Sequence, residues 1–151
     1  MLLPIQNFNK IFKFAVTMEI INLGGTDKKL YELVAPLVMN PAVIRQNNNY
    51  PFKTSGKYIW YLAIYEKQVV GFIPLKPIRN GYCIDNYYIK GDDKDTVDSL
   101  LKNIITDLSG SCALTAIVNK RHVNDFLENG FTTFLELKNY NKMEYIVKCD
   151  D

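Results

Sequence analysis

The sequence predicts an α+β fold, a mixed and mainly antiparallel sheet of about six to seven strands with a parallel central pair, flanked by helices. Three observations lead there. Residues 58–90 hold three runs of aromatic and β-branched residues separated by two tight turns, the pattern of an antiparallel meander. An amphipathic helical stretch then separates the third run from an apolar run at 112–118, and a helical crossover makes the strands on either side of it parallel. After a second, shorter helix and a glycine, two more strand-like segments close the sheet.

Each element has its own signals. The first strand is Glu19-Ile20-Ile21-Asn22-Leu23, and Gly24-Gly25-Thr26-Asp27 punctuates it. Thr26 is placed to cap a helix whose apolar face is Leu30, Leu33, Val34, Leu37 and Val38, and Pro41 bounds that helix. Arg45 to Lys57 is polar, rich in Asn and broken by Pro51 and Gly56, which predicts a loop after a short helical turn. The meander runs from Tyr58 to Tyr65, turns at Glu66-Lys67, and continues from Gln68 to Leu75, where Gly71 and Pro74 predict a bulge or an edge position. Asn80-Gly81 signals the hairpin into a third strand, Tyr82 to Lys90. Val97, Leu100, Leu101, Ile104, Ile105 and Leu108 mark one face of the clearest helix, with Asp92, Asp93 and Asp95 at its start and Gly110 at its end. Cys112 to Val118 is apolar enough to predict a strand buried on both faces. Arg121 to Asn129 reads as a short helix through Val123, Phe126 and Leu127, ended by Gly130, and Phe131–Leu137 and Met143–Val147 are the closing strands.

Composition limits the function classes. The chain has 151 residues, enough for one domain with a real core, and its 48% hydrophobic and 23% charged residues are those of a globular protein. A formal net charge of +2, with lysines scattered among acids, gives no basic stripe for nucleic acid. No apolar run approaches the roughly 20 residues that cross a bilayer. Three distant cysteines, Cys83, Cys112 and Cys149, and the single His122 lack metal-ligand spacing, so no metal is expected; the thiols read as buried strand residues of a reducing compartment such as the cytoplasm. His122, opening the short helix, reads as a surface residue. Residues 1–17 form an apolar extension, with Ile5, Phe8, Phe12 and Ala15 at helical spacing, ahead of a domain at 18–151. The extension lacks the early positive region and cleavage site of a signal peptide, and reads either as packing back on the domain or as a docking strip.

Four details taken in order resemble the acyl-CoA-dependent N-acetyltransferases of the GNAT superfamily. Ile84-Asp85-Asn86-Tyr87-Tyr88-Ile89 is similar to the family's fourth strand, and the hairpin Trp60 to Pro74, with Gly71-Phe72-Ile73, to its second and third. Asn119 stands at the family's spacing before Gly130-Phe131, and Gly130-Phe131 matches the ending of its last helix. The resemblance covers Met18 to Lys148. It implies that the parallel pair splays apart and that the pantetheine arm of acetyl-CoA enters the gap, binding the backbone of Tyr88, Ile89 and Lys90 and meeting Asn119. The helix-start amides of Asp93, Lys94, Asp95, Thr96 and Val97 would take the pyrophosphate. Asp85 stands where the family often has a base-like acid, and Tyr88 is the candidate hydroxyl.

Two places depart from the family pattern. Lys90 to Val97 lacks the glycine pair of the phosphate loop and puts three carboxylates there, which capping and solubility also explain. Phe126 occupies the position of the tyrosine that protonates the leaving thiolate, and it has no proton to give. Asp85 also reads as an ordinary strand acid, Tyr88 as a sheet-packing residue, and Asn119 as a cap for the helix that follows. Two functions follow from this. One is an N-acetyltransferase moving an acetyl group from acetyl-CoA to a small-molecule or protein amine. The other is an inactive module of the same shape that docks a protein partner, or a second copy, through residues 1–17.

Overall fold

The computed structural model describes residues 18–108 and 112–146. The extension at 1–17, Gly110 and Cys149 lie outside the described residues. One sheet holds eight strands: β1 (Glu19–Gly24), β2 (Ile59–Tyr65), β3 (Gln68–Ile78), β4 (Gly81–Ile84), β5 (Tyr88–Ile89), β6 (Ala113–Asn119), β7 (Phe131–Glu136) and β8 (Tyr140–Tyr145). Their order is β1-β2-β3-β4-β6-β8-β7, with β5 paired to β3. All pairs are antiparallel except β4 with β6, the parallel pair that the crossover predicts. The helices are α1 (Lys28–Val38), α2 (Pro41–Gln46), α3 (Lys94–Leu108) and α4 (Val123–Glu128).

Local chemistry refines several sequence expectations. Asp27, not Thr26, caps α1: its carboxylate accepts the Lys29 amide at 2.9 Å, a position one residue too far for Thr26. Pro41 starts α2 as well as ending α1, because the first helical position needs no N–H, and Asn40 caps it through the Ala42 amide. The bulge beside Gly71 is present: Ala63 pairs with Gly71 and Ile64 with Val69, leaving Val70 as the extra residue. The third meander strand is not continuous. It breaks at Asp85-Asn86-Tyr87 into β4 and β5.

The core is divided by the sheet. On one face α3 and α4 pack Val97, Leu100, Leu101, Ile104 and Phe126 over Ile73, Leu75, Ile84, Tyr87, Leu114, Ala116, Val118 and Met143. On the other, α1 and α2 cover only the β2–β3–β5 region, with Leu30, Val34 and Val43 over Trp60, Leu62, Phe72 and Tyr88. Strand β6 therefore alternates, with Leu114, Ala116 and Val118 buried and Thr115 and Ile117 half-buried, rather than being buried on both faces. Cys83 is half-buried on β4, where burial pushes its thiol up. Among the described residues, no helix is long and apolar enough to cross a membrane, and no group of three His, Cys, Asp or Glu residues is arranged to hold a metal.

The parallel pair depends on a glycine. A Cβ on Gly81 would run into the backbone of Ala113, its partner on β6, whereas one on Gly24 would meet nothing. Gly81→Ala is expected to lower stability by about 1–3 kcal/mol, the usual range for an overpacked site. Gly24→Ala should stay within about 0.5 kcal/mol. Urea denaturation of the two variants beside the parent checks both.

Candidate functional site

The site begins where β4 and β6 part. They pair in register from Gly81 with Ala113 to Ile84 with Ala116. Beyond that, β5 turns to β3, with Tyr88 opposite Phe72 and Ile89 opposite Gly71. Strand β6 runs on to Asn119 paired only with β8. The edges of β5 and of the end of β6 share no ladder, which leaves a wedge without backbone pairing between Tyr88–Ile89 and Ile117–Asn119.

Side chains cross that wedge. Tyr87 is buried, its ring 5.4 Å from that of His122 and 5.9 Å from that of Phe126, centroid to centroid. The Asn119 amide donates to the Tyr87 hydroxyl at 3.3 Å. That hydroxyl lies 2.7 Å from His122 Nδ1, and His122 Nε2 lies 2.7 Å from Asp92 Oδ1. One proton arrangement satisfies every member: Tyr87 donates to Nδ1, and a neutral imidazole donates Nε2–H to Asp92. Arg121 Nε donates to the same Asp92 oxygen at 3.0 Å, and its terminal nitrogen donates to the Gln46 carbonyl at the end of α2, also at 3.0 Å. His122 is thus not a surface residue. It is 1% exposed, because the turn at Lys120–His122 aims its ring back under Tyr87.

Electrostatics agree with this arrangement. Burial holds His122 below the ordinary histidine value against the opposing pull of Asp92, so it is neutral at pH 7. Burial lifts the Asp92 carboxyl, but hydrogen bonds from Arg121 and His122 outweigh that and hold it below the usual carboxylate range. Burial pushes the Tyr87 phenol up, opposed by the Asn119 amide, so it stays protonated. The Arg121–Asp92 pair is 38% and 49% exposed, which limits it to about 0–1 kcal/mol. The buried Tyr87–His122 bond adds about 1 kcal/mol. The bridge is complete and weak.

At the start of α3 the acids point three ways. Gly91 and Asp92 both take left-handed backbone, at φ 62° and 51°, which swings Asp92 toward Arg121. Asp93 caps the helix, its carboxylate accepting the Thr96 amide at 3.1 Å and hydroxyl at 2.6 Å. The Val97 amide bonds the Asp93 carbonyl at 3.2 Å. Asp95 is exposed. The Lys94 ammonium is committed to Asp98 at 2.8 Å and Glu128 at 2.5 Å. An open depression of about 510 Å³ adjoins this turn, lined by Lys90, Gly91, Asp93, Asp95 and Thr96 with Val70.

On the α1–α2 side a cleft of about 420 Å³ is lined by Asp85, Asn86 and Ile117 together with Tyr50, Tyr58 and Tyr140. Asn47 ties the 47–50 loop to the strand break, donating to Asn86 Oδ1 and to the Tyr50 carbonyl, each at 2.9 Å. Tyr58 is pushed up by burial and then by Asp85. Of the two candidate catalytic residues, Asp85 lies in this cleft. The Tyr88 ring packs in the α1–α2 core, tilted against Phe72 at 5.6 Å, and Tyr87 is the tyrosine that enters the wedge. Asn119 makes no side-chain cap of the following turn. A cavity of about 10 Å³, room for about one water, lies where Asp85, Tyr87, Asn119 and Arg121 meet. The side chains of Tyr87 and His122 therefore span the wedge between the two strand edges.

No family model and no curated protein matches this sequence. Solved structures do match. ElaA of Escherichia coli superimposes with a TM-score of 0.68 at 12% identity, over 85% of this chain and 99% of that one. An acyl-CoA N-acyltransferase from Pseudomonas aeruginosa gives 0.64 at 14%, over 86% and 100%. The PaiA N-acetyltransferase of Thermoplasma acidophilum, solved with coenzyme A, gives 0.52 at 18%, over 85% and 98%. The fold is that of the GNAT N-acetyltransferases.

His122 is the only histidine in the chain, so its ring signals are unambiguous. Nitrogen-detected NMR should show the neutral Nε2–H tautomer at pH 7 and protonation only below the ordinary value near 6.5. Since the folded state resists that proton, the stability it contributes is full above about pH 6.5 and falls on acidification through the folded value. Tyr87→Phe with His122→Leu should flatten that slope in urea denaturation between pH 7 and 5.

Proposed function

We propose that this protein is an N-acyltransferase that moves an acetyl group from acetyl-CoA to an amine. The observation that supports this best is the parting of β5 from β6 after a four-residue parallel ladder, which leaves two strand edges facing each other across a wedge. The backbone of Tyr88, Ile89 and Lys90 and the residue Asn119 would hold the pantetheine arm. The first turn of α3, at Asp93, Lys94, Asp95, Thr96 and Val97, would receive the pyrophosphate through the amides of Lys94 and Asp95, since those of Thr96 and Val97 are engaged. When bound, acetyl-CoA supplies an acyl group activated as a thioester.

The chain's own residues supply the remainder. The amine enters by the Asp85 cleft, its selection falling to α1 and the 45–57 loop, whose tyrosines and amides suit either a small molecule or a protein amine. Asp85 accepts the proton that a charged amine must lose before attack, directly or through a water in the small cavity beside it. Phe126 is fully buried and offers no proton, so the hydroxyl available in the wedge is Tyr87, held by the Asn119 amide and His122.

The bridge across the wedge favours a second reading, an inactive module of this fold whose contacts are made through residues 1–17, which lie outside the described residues. Calorimetric titration with acetyl-CoA and with CoA separates the two. The enzyme binds both saturably, and Asn119→Trp abolishes binding. The module binds neither at millimolar concentration, and removal of residues 1–17 changes its oligomeric state. With an acceptor in hand, Asp85→Asn is expected to lower kcat/KM about 100-fold at pH 7, as steady-state kinetics would show.

A further inference from the structure

We infer that Arg121 and Asp92 form a latch that holds the cofactor wedge shut, and that this latch is coupled to the amine cleft through α2. This rests on the acyltransferase reading, because a latch has meaning only if the wedge takes a ligand. The two residues stand on opposite lips: Asp92 in the turn that ends β5, Arg121 in the turn that ends β6. Their contact at 3.0 Å, backed by His122 on the same carboxylate oxygen and by Tyr87 on the Asn119 amide, spans the region past Ile84 and Ala116 where no backbone ladder joins the β5 edge to the β6 edge. Beside this contact, on the side of the 46–48 loop, lies a cavity of about 10 Å³ lined by Tyr87, Asn119, Arg121 and Asp85.

The latch also reaches the acceptor side. Arg121 donates to the Gln46 carbonyl, and the next residue, Asn47, is tied to Asn86 in the strand break beside Asp85. A movement of the 46–50 loop on an incoming amine therefore pulls on the guanidinium that closes the wedge. Asp92 sits in left-handed backbone that a non-glycine residue adopts at a cost, so freeing its carboxylate leaves little to hold that turn in place. Latch opening and amine entry are one coupled event, and each favours the other.

Arg121→Ala tests this, because the latch and plain electrostatics predict opposite signs. Acetyl-CoA is an anion, so loss of a nearby cation alone weakens its binding. Loss of the latch strengthens it. Calorimetric titration of acetyl-CoA into parent, Arg121→Ala and Asp92→Ala is expected to show tighter binding to both variants, by up to about fivefold. A second reading needs no ligand: exchange of the Asn119 amide proton should be faster in both, by up to about fivefold. If the parent binds and Arg121→Ala binds equally or more weakly, the latch is wrong and the acyltransferase reading stands. If none of the three binds at millimolar concentration, the acyltransferase reading fails and the latch falls with it.

Discussion

A mismatch of one residue organises this molecule. Between the pairs Leu75–Ile84 and Phe72–Tyr88, β3 has two residues, Ile73 and Pro74, while the facing line has three, Asp85, Asn86 and Tyr87. Three residues cannot pair with two, so the line buckles there and β5 resumes the ladder on β3 while leaving β6. Pro74, costly inside a regular central strand, falls where this ladder is already interrupted. The buckle does three things together. It opens the wedge, puts Asp85 in the cleft beside the 47–50 loop, and aims Tyr87 and Tyr88 to opposite faces.

The second consequence concerns charge. Three aspartates within four residues would repel an anion if all faced one point. The fold gives each a different partner: Asp92 the Arg121–His122 pair across the wedge, Asp93 the amide and hydroxyl of Thr96, and Asp95 the solvent. Lys94 meanwhile clasps α3 to α4 through Glu128. The helix start is thereby self-sufficient, which is why it needs no glycine pair to be stable, and also why it offers few amides to a ligand.

Tyr87 shows how one buried polar chain serves packing and site together. Its ring completes the α3–α4 core with Phe126. Its hydroxyl satisfies a strand-end amide that the parting of β5 and β6 would otherwise leave without a partner. His122 and Asp92 extend that satisfaction to the surface, so no buried side-chain polar atom among the described residues lacks a hydrogen bond. A neutral histidine does this better than a charged one, since the charge would have to be buried.

The order of elements was legible in the sequence because periodicity, turn residues and the crossover rule are local or nearly so: Asn80-Gly81, the face Val97 to Leu108 and the Gly130-Phe131 ending each act within a few residues of themselves. Asp85 and Asn119 came forward as candidates through the family resemblance, from their places in the 84–89 motif and ahead of Gly130-Phe131. Which tyrosine enters the wedge was not legible, because a break of unequal length resets the alternation of faces, and the unequal partner lies on another strand. Nor was the burial of His122, read as exposed from its place at a helix start, since its two partners are 30 and 35 residues away in the chain. Sequence alone determined that two parallel strands would stand side by side; only the assembled tertiary structure decided what spans the space between their ends, because that depends on side chains from distant turns meeting across a gap that neither turn encodes.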